Sequence, residues 1–456
     1  MALPNYTTFE VRTTGSDTNG GGFVVSGSTG TDYSQQNSAQ YTLTNGVANG
    51  TTTIATTSAS ADMQGNIAYV SGGTGSITGG WYAIVSVIVG TSITVDRSTG
   101  LTAGTGVHIT IGGALATPGL AYGLIVASGS YWTGVWVKSG TYTLTTATPN
   151  VSGGPLSNTS TTTTTNFIQG YGTTRGDSGI ATMSWGSVSA PGSNTYMYVC
   201  PQFTNFIKNF TLNGNNVAHV CGFNLSCNNT GGVSLALNCV AENCSGSTCI
   251  GFNASNYFSV GPFPGPYDCQ ANNCTTGFNN GIPVRCSAVS CGAGFLVQSA
   301  SDCLAYSCTG IGFQSVTTPL FNNCTADGNT GDGFYSNSVG TACINCVSTN
   351  NGGYGYHGSD DMILSGCADY NNTSGRKNSP NGFITDLNPI TLTAQPYPGS
   401  GNYQPNNTAG GGALLRGASW PVYGQTDNRA VGAVQPQASA GGSLMVGVGM
   451  DGGCNG

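Results

Sequence analysis

Between residues 238 and 372 one short phrase is written seven times, and nothing else in the chain limits its fold as strongly. The phrase opens at Cys239, Cys269, Cys286, Cys303, Cys324, Cys346 and Cys367, at intervals of 30, 17, 17, 21, 22 and 21 residues. Two positions on stand Ala241, Ala271, Ala288, Ala305 and Ala326, then Ser348 and Asp369. Five positions on stand Cys244, Cys274, Cys291 and Cys308, then Asn329, Asn351 and Asn372. A second phrase keeps step: Gly251-Phe252, Gly277-Phe278, Gly294-Phe295, Gly312-Phe313, Gly333-Phe334 and Gly355-Tyr356. A fixed period of this kind is the signature of a repeat array.

Residues at offsets 0 and 2 share one face of a strand, so the first cysteine and the alanine point inward together. Offset 5 would face outward if the strand ran straight. The small polar residues at offset 4 (Asn243, Asn273, Ser290, Ser307, Asn350 and Asn371) resolve this, because such residues tolerate a left-handed backbone and let the chain bend onto a new face. A repeat of this length has no room for a strand, a crossover helix and a return. It fits one turn of a parallel β-solenoid, in which like positions stack about 4.8 Å apart.

These repeats resemble those of right-handed parallel β-helix proteins, the pectate-lyase-like superfamily, with an inward cysteine ladder and an asparagine ladder at the bend. The competing reading of C-x4-C is a metal motif. Zinc sites usually use a shorter Cys spacing, and the second cysteine gives way to asparagine in three repeats. Packing is therefore the expected role of the thiols, buried and mostly reduced, and neither a metal nor a cofactor is expected.

Composition narrows the function classes. Of 456 residues only 10 are Lys or Arg and 17 Asp or Glu, while 73 are glycine, so Ser, Thr and Asn must supply the polar surface. Glutamate occurs only at Glu10 and Glu242, which argues against much helix. A net charge of -7 excludes an electrostatic nucleic-acid surface. The apolar run Trp81 to Val89 is too short to span a bilayer, and Met1 to Tyr6 does not resemble a cleavable signal. The 17 cysteines are odd in number and all but Cys454 lie between Cys200 and Cys367, which fits assembly in a reducing cytoplasm.

The expected architecture is all-β: a right-handed parallel β-helix with a small N-terminal β domain and an irregular C-terminal segment. Residues 1–115 are read as the N-terminal β domain (cap or attachment), 116–390 as the β-helix, and 391–456 as the closing segment and tail. Phe9 to Phe23 forms an opening resembling that of virus-encoded and environmental bacterial β-helix proteins. Gly65 to Thr74, Gly80 to Ile84 and Ile93 to Arg97 resemble a small β module recurring in them. Val135 to Leu144 reads as the first clear coil, and a Thr-rich excursion follows at Thr159 and Thr161 to Thr165.

The resemblance also implies catalytic patterns, and these are not matched. Polygalacturonase-like members use motifs resembling N-T-D, D-D, G-H-G and R-I-K; here only Asp360-Asp361 is present, with His357 before it. Pectate-lyase-like members use calcium carboxylates and an arginine base, whereas Arg285 and Arg376 stand isolated. The expected function is a structural component of a bacteriophage particle, a tail fibre, spike or capsid-surface decoration, acting in assembly or host attachment. It would be a virion protein and a homo-oligomer, expected to be a trimer, contacting other virion proteins and a host-surface glycan, with no nucleic acid and no membrane insertion. A glycan-degrading tailspike enzyme and a bacterial surface adhesin are the alternatives. The array's one long interval contains Pro262, Pro264 and Pro266, which cannot donate to a strand ladder and should eject a loop. Its aromatics, Tyr257, Phe258, Phe263 and Tyr267, are the candidate protein-contact residues.

Overall fold

The computed structural model describes residues 3–100, 102–128, 132–144, 156–157, 166–186, 190, 195–199, 205–226, 234–246, 248–254, 265–316, 319–398, 403 and 405–417. The chain is nearly all β; the α-helices among these residues are Pro118–Ser128 and Gly412–Gly417. Three long stacks of parallel strands run side by side. The first joins a seven-stranded and a five-stranded sheet through isolated bridges from Tyr267 to Val284 and from Val284 to Ser301. The second stack has eleven strands and the third ten. Each turn of chain visits the three in order, for example Ser234–Leu237, Val240–Glu242 and Ile250–Asn253. This is a β-helix-like solenoid.

Two left-handed bends shape each repeat. The bend into the third stack falls at Asn243, Asn273, Ser290, Ser307, Asn350 and Asn371, at φ of 50 to 55°. The bend into the second stack falls just before the opening cysteine, at Asn238, Asp268, Arg285, Asp302, Asn323 and Asn345. Asparagine at these sites also spans coils: Asn238 Nδ2 donates to Asn209 Oδ1 at 2.8 Å, and Asn273 Nδ2 to Asn243 Oδ1 at 2.9 Å. Arg285 is the bulky exception. Its guanidinium grips Asp268 of the preceding coil at 2.6 and 2.8 Å, a two-point contact that offsets the steric cost of its backbone.

All fourteen described cysteines are buried and carry thiols rather than disulfides. Each opening cysteine donates its S–H back to a first-stack carbonyl of the previous coil, as Cys286 does to Pro266 O at 3.2 Å and Cys346 to Phe321 O at 3.3 Å. The offset-5 column changes chemistry midway. Asn329, Asn351 and Asn372 replace cysteine and satisfy one another: Asn329 Nδ2 donates to Asn351 Oδ1, and Asn351 Nδ2 to Asn372 Oδ1, both at 2.9 Å. Buried amides persist here because their hydrogen bonds are met.

The Gly-Phe phrase fills the interior. Phe223, Phe252, Phe278, Phe295, Phe313, Phe334 and Tyr356 stack with centroids 4.6 to 5.3 Å apart. The preceding glycines leave room for the alanine column opposite. A Cβ on Gly294 would lie 2.5 Å from Gly312 O and 3.0 Å from Ala305 Cβ. One phrase therefore needs glycine because the other carries alanine.

The two ends differ. At the first, Thr7–Val11 joins the first stack beside Thr133–Lys138, and the helix Pro118–Ser128 buries Ala121, Tyr122 and Ile125 in the solenoid core. Residues 41–111 form a closed antiparallel barrel around Leu43, Ile54, Val70, Ile84, Ile93 and Ile109. The buried Glu10 carboxylate joins the segments: Arg12 and Arg175 both donate to it, and Arg175 also reaches Asp32. At the other end charge replaces apolar filling. Lys377 follows Tyr356 in register and Asp386 follows Leu364, while Arg376 bonds Asp386, Asp369 and Cys367 O. Inward charge of this kind discourages further strand addition. Beyond it the chain turns back over the second stack, where Tyr397 and Tyr403 cover Leu304, Val347 and Ala368, and Tyr403 donates to Asp327 at 3.0 Å.

Candidate interaction face

The outward side of the first stack is rich in apolar side chains, with polar residues and Lys208 among them. Strand alternation sends Val135, Ile168, Ile207 and Ala236 inward, so their neighbours face out. One outward row carries Phe167, Phe206 and Leu235 in register, and further along Leu320, Ala342 and Ile363. The other runs Trp136, Gln169, Lys208, Leu237, Tyr267, Val284 and Ser301. It continues through Asn322, Ile344, Ser365 and Leu387. At the first end the rings touch one another: Trp136 meets Phe167 at 5.1 Å and Phe167 stacks on Phe206 at 5.5 Å. Gly134 is required beneath them, since a Cβ there would lie 2.1 Å from the Phe167 ring. At the far end exposure rises to 45% at Ile363, 50% at Leu387 and 81% at nearby Phe383.

The other two sides look different. The second stack turns out Thr182, Thr211, Val240, Gln270 and Ser287, and its far coils lie beneath the return segment. The third turns out Asn224, Asn253, Asn279, Leu296, Gln314, Tyr335 and His357 in one register. Polar rows are ordinary on a solvated sheet. The concentration of large outward apolar side chains on the first stack is a contact signal.

Tyr267 belongs to this face, half-buried between Leu237 and Val284. Tyr257, Phe258 and Phe263 lie outside the described residues, so Tyr267 alone of the four contact candidates is located. Trp136, Phe167, Phe206, Leu320 and Ile363 escaped the sequence reading. Their signal was the alternation in Gly134-Val135-Trp136-Val137 and Phe167-Ile168-Gln169, where inward and outward positions are both apolar.

The polar clusters that chemistry would need are engaged between coils. Asp332 accepts from Tyr354 N at 2.7 Å through one oxygen and meets His357 Nδ1 at 2.7 Å through the other. Tyr335 and Tyr354 flank that imidazole at 5.2 and 5.4 Å. Asp361 accepts from Phe383 N at 2.8 Å. Asp177 is tied within its own loop instead: amide N–H groups of Gly172, Thr174, Gly179 and Thr173 hold its carboxyl well below the usual range. Among the described residues no group of three or more His, Cys, Asp or Glu side chains is placed to hold a metal ion. No described helix is long and apolar enough to cross a membrane.

No protein-family model and no curated protein sequence matches the chain. Among solved structures it is similar to ORF18 of Geobacillus virus E2, at 11% identity and a TM-score of 0.34, with 57% of this chain covered. That match spans about half, 52%, of the viral structure. It is similar too to the catalytic domain of a GH87 α-1,3-glucanase in complex with nigerose, at 9% identity and a TM-score of 0.31, covering 77% of this chain and 90% of that one. The catalytic unit of a thermostable GH87 α-1,3-glucanase from Streptomyces thermodiastaticus scores 0.31 at 10% identity, covering 78% and 87% of the two chains. These likenesses assign neither an activity nor a partner to this chain.

Proposed function

We propose that the chain is a structural component of a bacteriophage particle, a tail fibre, spike or capsid-surface decoration that acts in assembly or host-surface attachment. The observation that carries this reading is the division of labour between faces. Asp332, His357, Asp361 and Arg376 are spent binding coil to coil, while the first stack gathers large apolar side chains on its outward side. A rod that holds its own shape and carries exposed apolar side chains along one side is suited to contact rather than turnover. The solenoid is read as right-handed, the hand nearly all parallel crossovers take. The layout is read as 1–115, 116–390 and 391–456, with virion proteins as partners in a homo-oligomer expected to be a trimer. Quantitative mass spectrometry of gradient-purified, nuclease-treated particles tests the proposal. A fixed copy number per particle supports it, and absence from intact particles overturns it.

A further inference from the structure

The joint between the barrel and the solenoid is built around a buried charge cluster. Glu10, on the strand Thr7–Val11, is fully buried and accepts from Arg12 Nε at 3.0 Å, from Arg175 Nε at 2.8 Å and from the Tyr171 hydroxyl. Arg175 also donates to Asp32 Oδ2 at 3.2 Å and to Ser34 Oγ at 2.8 Å. Two carboxylates thus meet two guanidiniums with no charge left over. Stability alone does not call for such a cluster, because apolar side chains of similar volume often serve as well. What the charges add is direction, since a planar guanidinium fixes where its acceptors must stand.

Three segments far apart in the chain meet here. Glu10 belongs to the N-terminal strand, Asp32 and Ser34 to the leader (residues 31–40) that runs into the barrel, and Arg175 to a solenoid loop, residues 172–179. That loop is preset. The Asp177 carboxylate accepts from the N–H groups of Gly172, Thr173, Thr174 and Gly179 at 2.5 to 3.0 Å, and Asp177 O accepts from Asn209 Nδ2 of the next coil at 3.1 Å. Ordering a long side chain on a loose loop would cost entropy, and a loop already held in shape reduces that cost. The leader in turn grips the barrel. Tyr33 N donates to Asn66 Oδ1 at 3.1 Å, Gly113 N donates to Tyr33 O at 2.9 Å, and Ala114 N to Gln36 O at 2.6 Å. Packing there is close: a Cβ on Gly113 would lie 2.5 Å from Ser38 C.

We propose that the loop 172–179 is a latch: through Arg175 it locks the N-terminal strand and the barrel's leader onto the solenoid, with Asp177 as its positioning residue. The barrel is then carried by the rod as a fixed head rather than on a tether, and a particle component held at one end would point in one direction. Hydrogen exchange of the full chain, read by mass spectrometry, is the test. Arg175→Gln should speed exchange at least about tenfold in the leader amides 31–37 and also at Gly113 and Ala114, which Arg175 does not bond but the leader does. Leu304 and Thr325, whose amides bond distant coils, should keep wild-type rates. Asp177→Asn leaves every charge of the cluster in place and should give part of the same rise. Arg285→Gln, which breaks a surface ion pair elsewhere, should give none. The double variant Glu10→Gln/Arg175→Gln keeps one acid and one base, so it opens the latch without stranding a carboxylate and serves if the single variant does not fold. Wild-type rates at the leader in the double variant overturn the inference. So does a rise confined to 31–37, which would be a local contact, or one shared equally by Leu304 and Thr325, which would be a general loss of stability. The measurement needs no particle, so its failure leaves the proposed role standing.

Discussion

Gly294→Ala should destabilise the solenoid, although the same change elsewhere in this chain should stabilise it. The backbone of Gly294 is not in the left-handed region, so alanine would ordinarily gain about 0.4 to 1 kcal/mol by restricting the unfolded chain. Here the new Cβ would sit 2.5 Å from Gly312 O, 3.0 Å from Ala305 Cβ and 3.4 Å from Cys308 Sγ. The first neighbour is a carbonyl in the inter-coil ladder: Gly312 N bonds Asp332 O and Phe313 N bonds Gly333 O, so relief requires two coils to move together. Overpacking of this kind costs roughly 1 to 3 kcal/mol, which outweighs the entropic gain and leaves a net loss of about 1 to 2 kcal/mol. Gly123 is the control, since it lies in the helix Pro118–Ser128 with nothing within 4 Å of a new Cβ; Gly123→Ala should gain about 0.5 to 1 kcal/mol. Urea unfolding followed by far-UV circular dichroism reads both. Adding Ala305→Gly to Gly294→Ala should restore part of the loss, because it removes the side-chain contact and leaves the carbonyl. A Gly294→Ala protein as stable as wild type would refute the close-packing account of the repeat.

The thiol columns make stability fall in alkali. Burial pushes the Cys269, Cys286 and Cys324 thiols well above the usual range, so the unfolded chain loses those protons first. Stability is full below about pH 8.5 and declines above it, by up to about 1.4 kcal/mol per pH unit for each such thiol; a flat urea midpoint from pH 8 to 10 would contradict this. A thiol reagent should modify few cysteines in the native protein and nearly all after denaturation, and equal counts would show that the columns are open to solvent. Asn351→Ala should cost about 2 to 3 kcal/mol, because it leaves the buried Asn329 N without its acceptor and takes one bond each from Asn329 Nδ2 and Asn372 Oδ1, and a loss below about 1 kcal/mol would deny the amide column its role. No release of reducing ends or unsaturated sugars from acidic polysaccharides is expected. Release that disappears in Asp332→Asn or in Asp360→Asn/Asp361→Asn would favour a glycan-degrading spike instead.

Much of the coil was legible because each column is a separate steric demand. Asn243, Asn273, Ser290 and Ser307 announce the left-handed bend, and the cysteine and alanine offsets mark the inward face. The bend before each cysteine was harder to read, since Arg285 stands in a column of Asn and Asp and is held there by an ion pair to another coil. Why glycine precedes each phenylalanine was also hidden, because its neighbours Gly312 and Ala305 are distant in sequence. The outward apolar residues of the first stack were only glimpsed. Tyr267 drew notice from the proline-rich interval, but its rank beside Leu237 and Val284 depends on register across intervals of 30 and 17 residues. The plug of Lys377 and Asp386 was invisible for the same reason, as only register shows them succeeding Tyr356 and Leu364.

Hydroxyl-radical footprinting of intact particles tests the central claim most directly, the proposal that this is a particle protein held through its first-stack side. Tyr267, Ile363 and Leu387 lie on that side, whereas Tyr335 and Tyr354 lie on the solvated third stack. The account predicts peptides of this chain in the particle digest, with the first three residues protected and the two tyrosines oxidised. Absence of the chain from the particle, or Ile363 and Leu387 oxidised as readily as Tyr335 and Tyr354, would contradict it.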